Sequence, residues 1–182
     1  MKLAFLALGV LGCSSSPVDY SAPVGIELDA KSGDVTMSVV TEQKDITTES
    51  GNPYGAFISS AMAKLNGKMP SRIEIDDLTL TLGGQSTGVS TLDQVLSGDV
   101  DVAFIANSSN NTYDAGHITN PTGVGPDDVS PDFDWSMVAP QDVAQMLNGS
   151  FKVVMRGSAA SGFTTKGADA QLQLTFTFSA FQ

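Results

Sequence analysis

The run Gly84-Gln85-Ser86-Thr87-Gly88 is the first place where residue types and spacing suggest chemistry. Gly-x-Ser-x-Gly is the spacing of a nucleophile elbow, in which a tight strand-to-helix turn lifts a serine hydroxyl toward a histidine base oriented by a carboxylate. The chain holds one histidine, His117, so a hydrolase built on Ser86 would have to use it. The surroundings argue against that use. The residues before Ser86 alternate as an exposed antiparallel strand does, and the next helix-start signal, Thr91-Leu92-Asp93-Gln94, comes too late for an elbow. A turn is the expected role of this run, and serine hydrolysis is a distant alternative.

Metal chemistry is bounded just as tightly. A single histidine and a single cysteine exclude a multi-histidine or multi-cysteine zinc centre. Hard carboxylate oxygens are more plentiful: Asp127, Asp128, Asp132 and Asp134 fall close together and are candidate calcium ligands. Their spacing departs from the EF-hand, which needs alternating ligands, a central glycine and a late glutamate. A solvated acidic loop anchored by Phe133 and Trp135 is the plainer reading, and no cofactor is expected.

The acids also exclude a class of partner. The chain has 20 Asp and Glu against 9 Lys and Arg, for a net charge of −11. Residues 73–151 contain no lysine or arginine at all. Phosphate backbones are repelled by such a surface, so nucleic acid is not an expected partner.

The N-terminus carries the strongest signal. Met1-Lys2 supplies a positive charge, an apolar run follows, and Val10-Leu11-Gly12-Cys13 leads into Ser14, Ser15, Ser16 and Pro17. This segment resembles the bacterial lipobox, with an aliphatic residue three places before a cysteine and a small residue just before it. The resemblance implies that residues 1–12 are a cleaved lipoprotein signal peptide and that the Cys13 thiol takes a diacylglyceryl group. It also implies exported, membrane-anchored protein, with Ser14 favouring the outer membrane. The apolar run is too short to cross a bilayer as a permanent helix, whereas acyl chains attach stably at about 0.8 kcal/mol per buried methylene. With no second cysteine there is no intrachain disulfide, so the exported fold must stand on its core.

Residues 13–23 read as a lipidated tether and 24–182 as one domain. Alternating apolar residues predict strands over 24–30, 35–41, 71–82, 100–106, 151–155 and 171–180. In the third of these the alternation changes phase at Asp76-Asp77, as a β-bulge would make it do. Asn52 as cap, Pro53 at the first position and an apolar face from Phe57 to Leu65 predict a helix stopped by Asn66-Gly67. Shorter helices are expected over 91–98 and 140–147, and a long acidic loop over 107–134. The fold class is therefore mainly β: an antiparallel β-sandwich, immunoglobulin-like in architecture, with two or three short helices.

These elements favour a non-enzymatic binding or structural module of the cell envelope. Its membrane contact is the lipid on Cys13, and its expected protein contact is the 107–134 loop, where Tyr113, His117 and Phe133 are the candidate partner-binding residues. The alternative is a small-ligand or lipid carrier with Phe57, Ile58, Met62, Leu80 and Phe104 around its cargo.

Overall fold

The computed structural model describes residues 20–165 and 167–182. The expected signal peptide, Cys13 and most of the expected tether lie outside the described residues. Nine strands and two α-helices are described: β1 (Tyr20–Lys31), β2 (Val39–Ile46), α1 (Pro53–Lys64), β3 (Arg72–Leu82), β4 (Leu96–Ala106), β5 (Thr112–Thr119), β6 (Asp127–Asp128), β7 (Ser130–Pro131), α2 (Pro140–Leu147), β8 (Phe151–Ala159) and β9 (Asp169–Phe181). They form two antiparallel sheets, ordered β1-β9-β3-β6 and β2-β8-β4-β5-β7.

The pairing gives the topology. β1 pairs with β9 from Tyr20↔Ala180 to Lys31↔Asp169, β2 with β8, β3 with β6, and β4 with β5. β6 and β7 are one run of chain that changes sheet at Val129, whose N–H donates to the Leu78 carbonyl at 2.8 Å. Eight runs thus make a ribbon folded over on itself, which is the connection of a jelly roll. The immunoglobulin-like order expected from the sequence is not adopted, because the first strand pairs with the last instead of the second. Alternation specifies which face of a strand is buried. It carries no information about which strand lies alongside.

The core lies between the sheets. Leu172, Leu174, Phe176 and Phe178 of β9 face Val102, Phe104, Val153 and Met155 of the other sheet, all 2% exposed or less. Phe104 bridges the layers, with ring centroids 5.6 Å from Phe176 and 5.2 Å from Phe151. Each such side chain contributes about 1.5–3 kcal/mol by leaving water. Phe57, Ile58, Leu80 and Phe104 belong to this core, with Met62 half-buried against it, so the residues considered for cargo pack on protein instead. α1 closes one end: Tyr54 and Phe57 lie against Phe178, and Tyr54 Oη donates to the Met146 carbonyl at 2.7 Å.

Several expected elements are found where the sequence put them. α1 starts on Asn52, which accepts from the Tyr54 N–H at 3.0 Å, and the β3 bulge falls between Ile75 and Asp77. Four expectations are corrected. Tyr20–Pro23, read as tether, are the first rungs of β1; an edge strand tolerates Pro23, which has no N–H to donate. The strand expected over 35–41 begins at Val39, because Met37 and Ser38 take φ of 51° and 62° and turn the chain. The helix expected over 91–98 is one 3-10 turn, Leu92–Gln94, and Gly98 sits at φ 69° in a bulge of β4 instead of ending a helix. The long loop over 107–134 contains β5, β6 and β7. A bulge opposite Val102 and Ala103 buries both Ala115 and Gly116, which erased the alternation that would have revealed β5.

Candidate functional site

At the end of the sandwich closed by the helices, residues 132–139 form a strap from β7 to α2. Its anchor is Phe133, whose ring meets Phe104 edge-on at 5.2 Å and Trp135 at 6.1 Å. Asp134 Oδ1 accepts from the Ser136 N–H at 2.8 Å and so caps the 3-10 turn Trp135–Met137. That hydrogen bonding holds the Asp134 carboxyl below the usual carboxylate range.

Phe133 separates two open depressions. One, of about 290 Å³, is lined by Tyr113, Asp114, Asp132, Phe133, Asp134 and Met137. The other, of about 350 Å³, is lined by Arg72, Glu74, Ile75, Phe133, Asp134 and Trp135. Met137 is 73% exposed at the rim. The only base among these residues, Arg72, is already engaged: its Nη1 lies 3.3 Å from Glu74 Oε1 and its guanidinium 4.1 Å above the Phe181 ring. The surface is thus an aromatic and methionine ridge set among carboxylates, chemistry suited to cationic groups on apolar stems.

Beneath the strap lies Asp142 of α2, a fully buried carboxylate. Its Oδ2 accepts from Tyr113 Oη at 2.7 Å, Asn111 Nδ2 at 2.8 Å and Ser109 Oγ at 2.9 Å, and its Oδ1 from Gln145 Nε2 at 2.9 Å. Donation from Tyr113, with help from Asn111 and Ser109, keeps this carboxyl below its ordinary value against the opposing effect of burial. Burial, and then the bond to Asp142, push the Tyr113 phenol up. Tyr113 Oη also accepts from the Ala139 N–H at 3.1 Å, so one ring ties β5, the strap and α2 together. The sequence concealed this network, because an aspartate in the first turn of a helix ordinarily complements the helix dipole.

The three partner-binding candidates are contiguous. Tyr113 and Phe133 line one depression, and Asp132 of that depression reaches His117, Oδ2 to Nδ1, at 2.5 Å. This exposed pair raises the His117 pKa, with smaller contributions from Asp101 and Asp99.

The other candidates are dispersed. Ser86 Oγ donates to the Gly83 carbonyl at 2.8 Å and accepts from the Gln171 N–H at 3.0 Å, holding the turn after β3. His117 lies on β5 in the other sheet with Asp132, so no catalytic triad is assembled around Ser86. The four calcium candidates are spread over separate tasks. Asp127 accepts from the Thr122 N–H at 2.7 Å, Asp128 pairs with Thr79, Asp132 holds His117 and Asp134 caps its turn. Among the described residues no group of three or more His, Cys, Asp or Glu side chains is placed to hold a metal ion. No helix among them is long and apolar enough to cross a membrane.

At the opposite end, Glu42 of β2 carries a pKa raised to about 7, chiefly by burial, then by Asp34 and Asp29, with Lys31 opposing and Asp169 adding to the rise. No sequence signal marked it, since the residues around it come from β1, β2, β9 and the turn after β1.

No family model matches the chain, and no curated protein does. Among solved structures it is similar to chains in two structures of turnip yellow mosaic virus. One, of the empty head at 100 K, is 12% identical with a TM-score of 0.26, over 100% of this chain and 90% of that chain. The other is 11% identical with a TM-score of 0.24 over the same shares. Likeness at that level carries no weight for fold or function.

Proposed function

We propose that the chain is a lipid-anchored, extracytoplasmic lipoprotein of a bacterial envelope, probed by partners rather than acting on substrates, with its acyl chains on Cys13 in the outer membrane. The reading rests on Val10-Leu11-Gly12-Cys13 standing shortly before Tyr20, the first rung of β1. From Cys13 to Tyr20 the chain reaches at most about 25 Å when fully extended, so the sandwich stays close to the bilayer. The contact surface in this proposal is the ridge of Phe133, Trp135 and Met137. Its acidic rim of Asp114, Asp132 and Asp134 favours an envelope protein that presents lysine or arginine side chains.

Mass spectrometry of the native product, with membrane fractionation, tests the anchor. The expected mature chain starts at Cys13 and carries diacylglyceryl, and Cys13→Ser leaves the protein in the soluble fraction. A native product with a bare thiol at this position refutes the proposal. For the contact surface, Phe133→Ala should keep the protein at the membrane while partners cross-linked to the wild type are lost; an unchanged set removes the ridge from the proposal.

A further inference from the structure

β7 pairs with β5 for only two rungs, Gly116↔Pro131 and His117↔Ser130. The Asp132 N–H adds one more bond, to the Ala115 carbonyl at 3.1 Å, and there the strap leaves the edge to bury Phe133 against Phe104. Thr112, Tyr113 and Asp114 of β5 lie past that point, and among the described residues no strand runs beside them on that side. The depression of about 290 Å³ between these residues and the strap is the gap that the departure leaves.

The ladder to β4 fixes where the backbone of this stretch points. The Ala106 N–H donates to the Asn111 carbonyl at 3.0 Å, so the Asn111 backbone faces β4. Residues of an antiparallel strand face one neighbour and the other side by turns. Tyr113 therefore also faces β4, opposite Phe104, whereas Thr112 and Asp114 turn their backbone N–H groups to the open side. This part of the edge is held in place from within. Asn111 and Tyr113, on either side of Thr112, both donate to the buried Asp142 carboxylate, at 2.8 and 2.7 Å. An edge fixed in advance loses little freedom when it is paired. The other long edges carry devices that discourage pairing: β1 has Pro23, and β2 has Glu42, Lys44 and Asp45.

We infer that an extended segment of the partner, with lysine or arginine at alternate positions, pairs with residues 112–114 of β5 as an added strand. This rests on the reading of the Phe133 ridge as the contact surface for a basic partner, and it says how that partner is held. Main-chain hydrogen bonds give such a pairing its affinity, and alternate side chains give its specificity. Asp114, Asp132 and Asp134 line the gap and select positive charge, and residues 73–151, which build it, contain no lysine or arginine to compete. Phe133 and Met137 line the same gap and take the aliphatic stems of those side chains. The buried Asp142 network thereby gains a use beyond stability, since it fixes the edge that receives the guest strand.

The isotope-labelled full chain in an uncharged detergent, titrated with a capped peptide alternating lysine and valine, tests the pairing by nuclear magnetic resonance. At saturation the Thr112 and Asp114 amides should exchange with solvent at least about tenfold more slowly, and the peptide Cα protons should show Overhauser contacts to the β5 backbone. A peptide alternating glutamate and valine should bind at least about tenfold more weakly. Thr112→Pro removes an N–H on the open side and none from the β4 ladder, so it should weaken the lysine peptide about fivefold, the worth of one hydrogen bond. The exchange measurement on the wild type decides even where that variant does not fold. A lysine peptide that perturbs Phe133 and Met137 while the Thr112 and Asp114 amides exchange as before overturns the added strand and leaves the basic-partner reading standing. Equal binding of the two peptides, or binding of neither, overturns both.

Discussion

Gly116→Ala should loosen the seam where the chain crosses between sheets. A methyl at this position would sit 2.6 Å from the Ser130 carbonyl oxygen, 3.1 Å from Val129 Cγ1 and 3.3 Å from Leu78 Cδ2. None of these neighbours is the free tip of a flexible side chain. The oxygen belongs to the β7 backbone, and Val129 and Leu78 are 1% and 0% exposed. Ordinary carbon contacts need about 3.5–4 Å, so β7 has to retreat by about 1 Å. Overpacking of this kind costs about 1–3 kcal/mol, and a two-residue strand that can yield puts the cost near 2 kcal/mol. A domain of this size loses about 2–4 °C per kcal/mol, so the midpoint should fall by about 4–8 °C. Gly84→Ala is the matched control, since a methyl there meets nothing within 4 Å. It should be neutral or stabilise by about 0.4–1 kcal/mol. Thermal unfolding followed by circular dichroism compares the two. If Gly116→Ala melts with Gly84→Ala or above it, β7 is not pressed against β5 as described.

Two other perturbations address charge. Glu42 has a folded pKa of about 7 against an ordinary 4.5, so its contribution to stability is present below 4.5 and is lost as pH rises through 7. Glu42→Gln should therefore flatten the pH profile and stabilise the protein at pH 8 by about 1 kcal/mol, a figure discounted for solvent screening because the side chain is only partly buried. Urea unfolding at pH 4 and pH 8 checks this, and an equal gain at both would count against the acidic surroundings of Glu42. Tyr113→Phe should cost about 1.5 kcal/mol at pH 7 by removing a donor from a carboxylate. The depressed pKa of Asp142 means its contribution is present above the unfolded value and lost as pH falls through the folded one. The gap between variant and wild type should thus close on acidification. A gap independent of pH would show that Tyr113 acts by packing alone.

The sequence was most legible where a local rule acts alone. The alternation of β9, the Asn52-Pro53 start of α1 and the phase change at Asp76-Asp77 each report a backbone constraint within a few residues. The bulge even has a visible use, since Asp76 accepts from Ser21 Oγ at 3.1 Å and from Ser179 Oγ. What stayed hidden depends on chain brought from afar. β5 pairs its bulge with β4, and β6 and β7 are held by strands far apart in sequence. The turn at Met37-Ser38 uses positive φ at residues that do not advertise it. Part of the candidate surface was legible, because Tyr113 and Phe133 stood in an unusually long unpatterned stretch. Met137 and the donors around Asp142 were not, since only folding brings the turn at Ser109 and Asn111 onto α2.

The place of β9 bears on when the protein can fold. It lies between β1 and β3, so neither neighbour has its main partner until the last strand is available. On a ribosome making the chain from its amino end, that half of the fold has nothing to build on until residues 169–181 have been made. Pairings that close such long loops form slowly. Until then β1 and β3 present unpaired edges on the two sides of the place that β9 will fill, and the layer they belong to closes in a single late step.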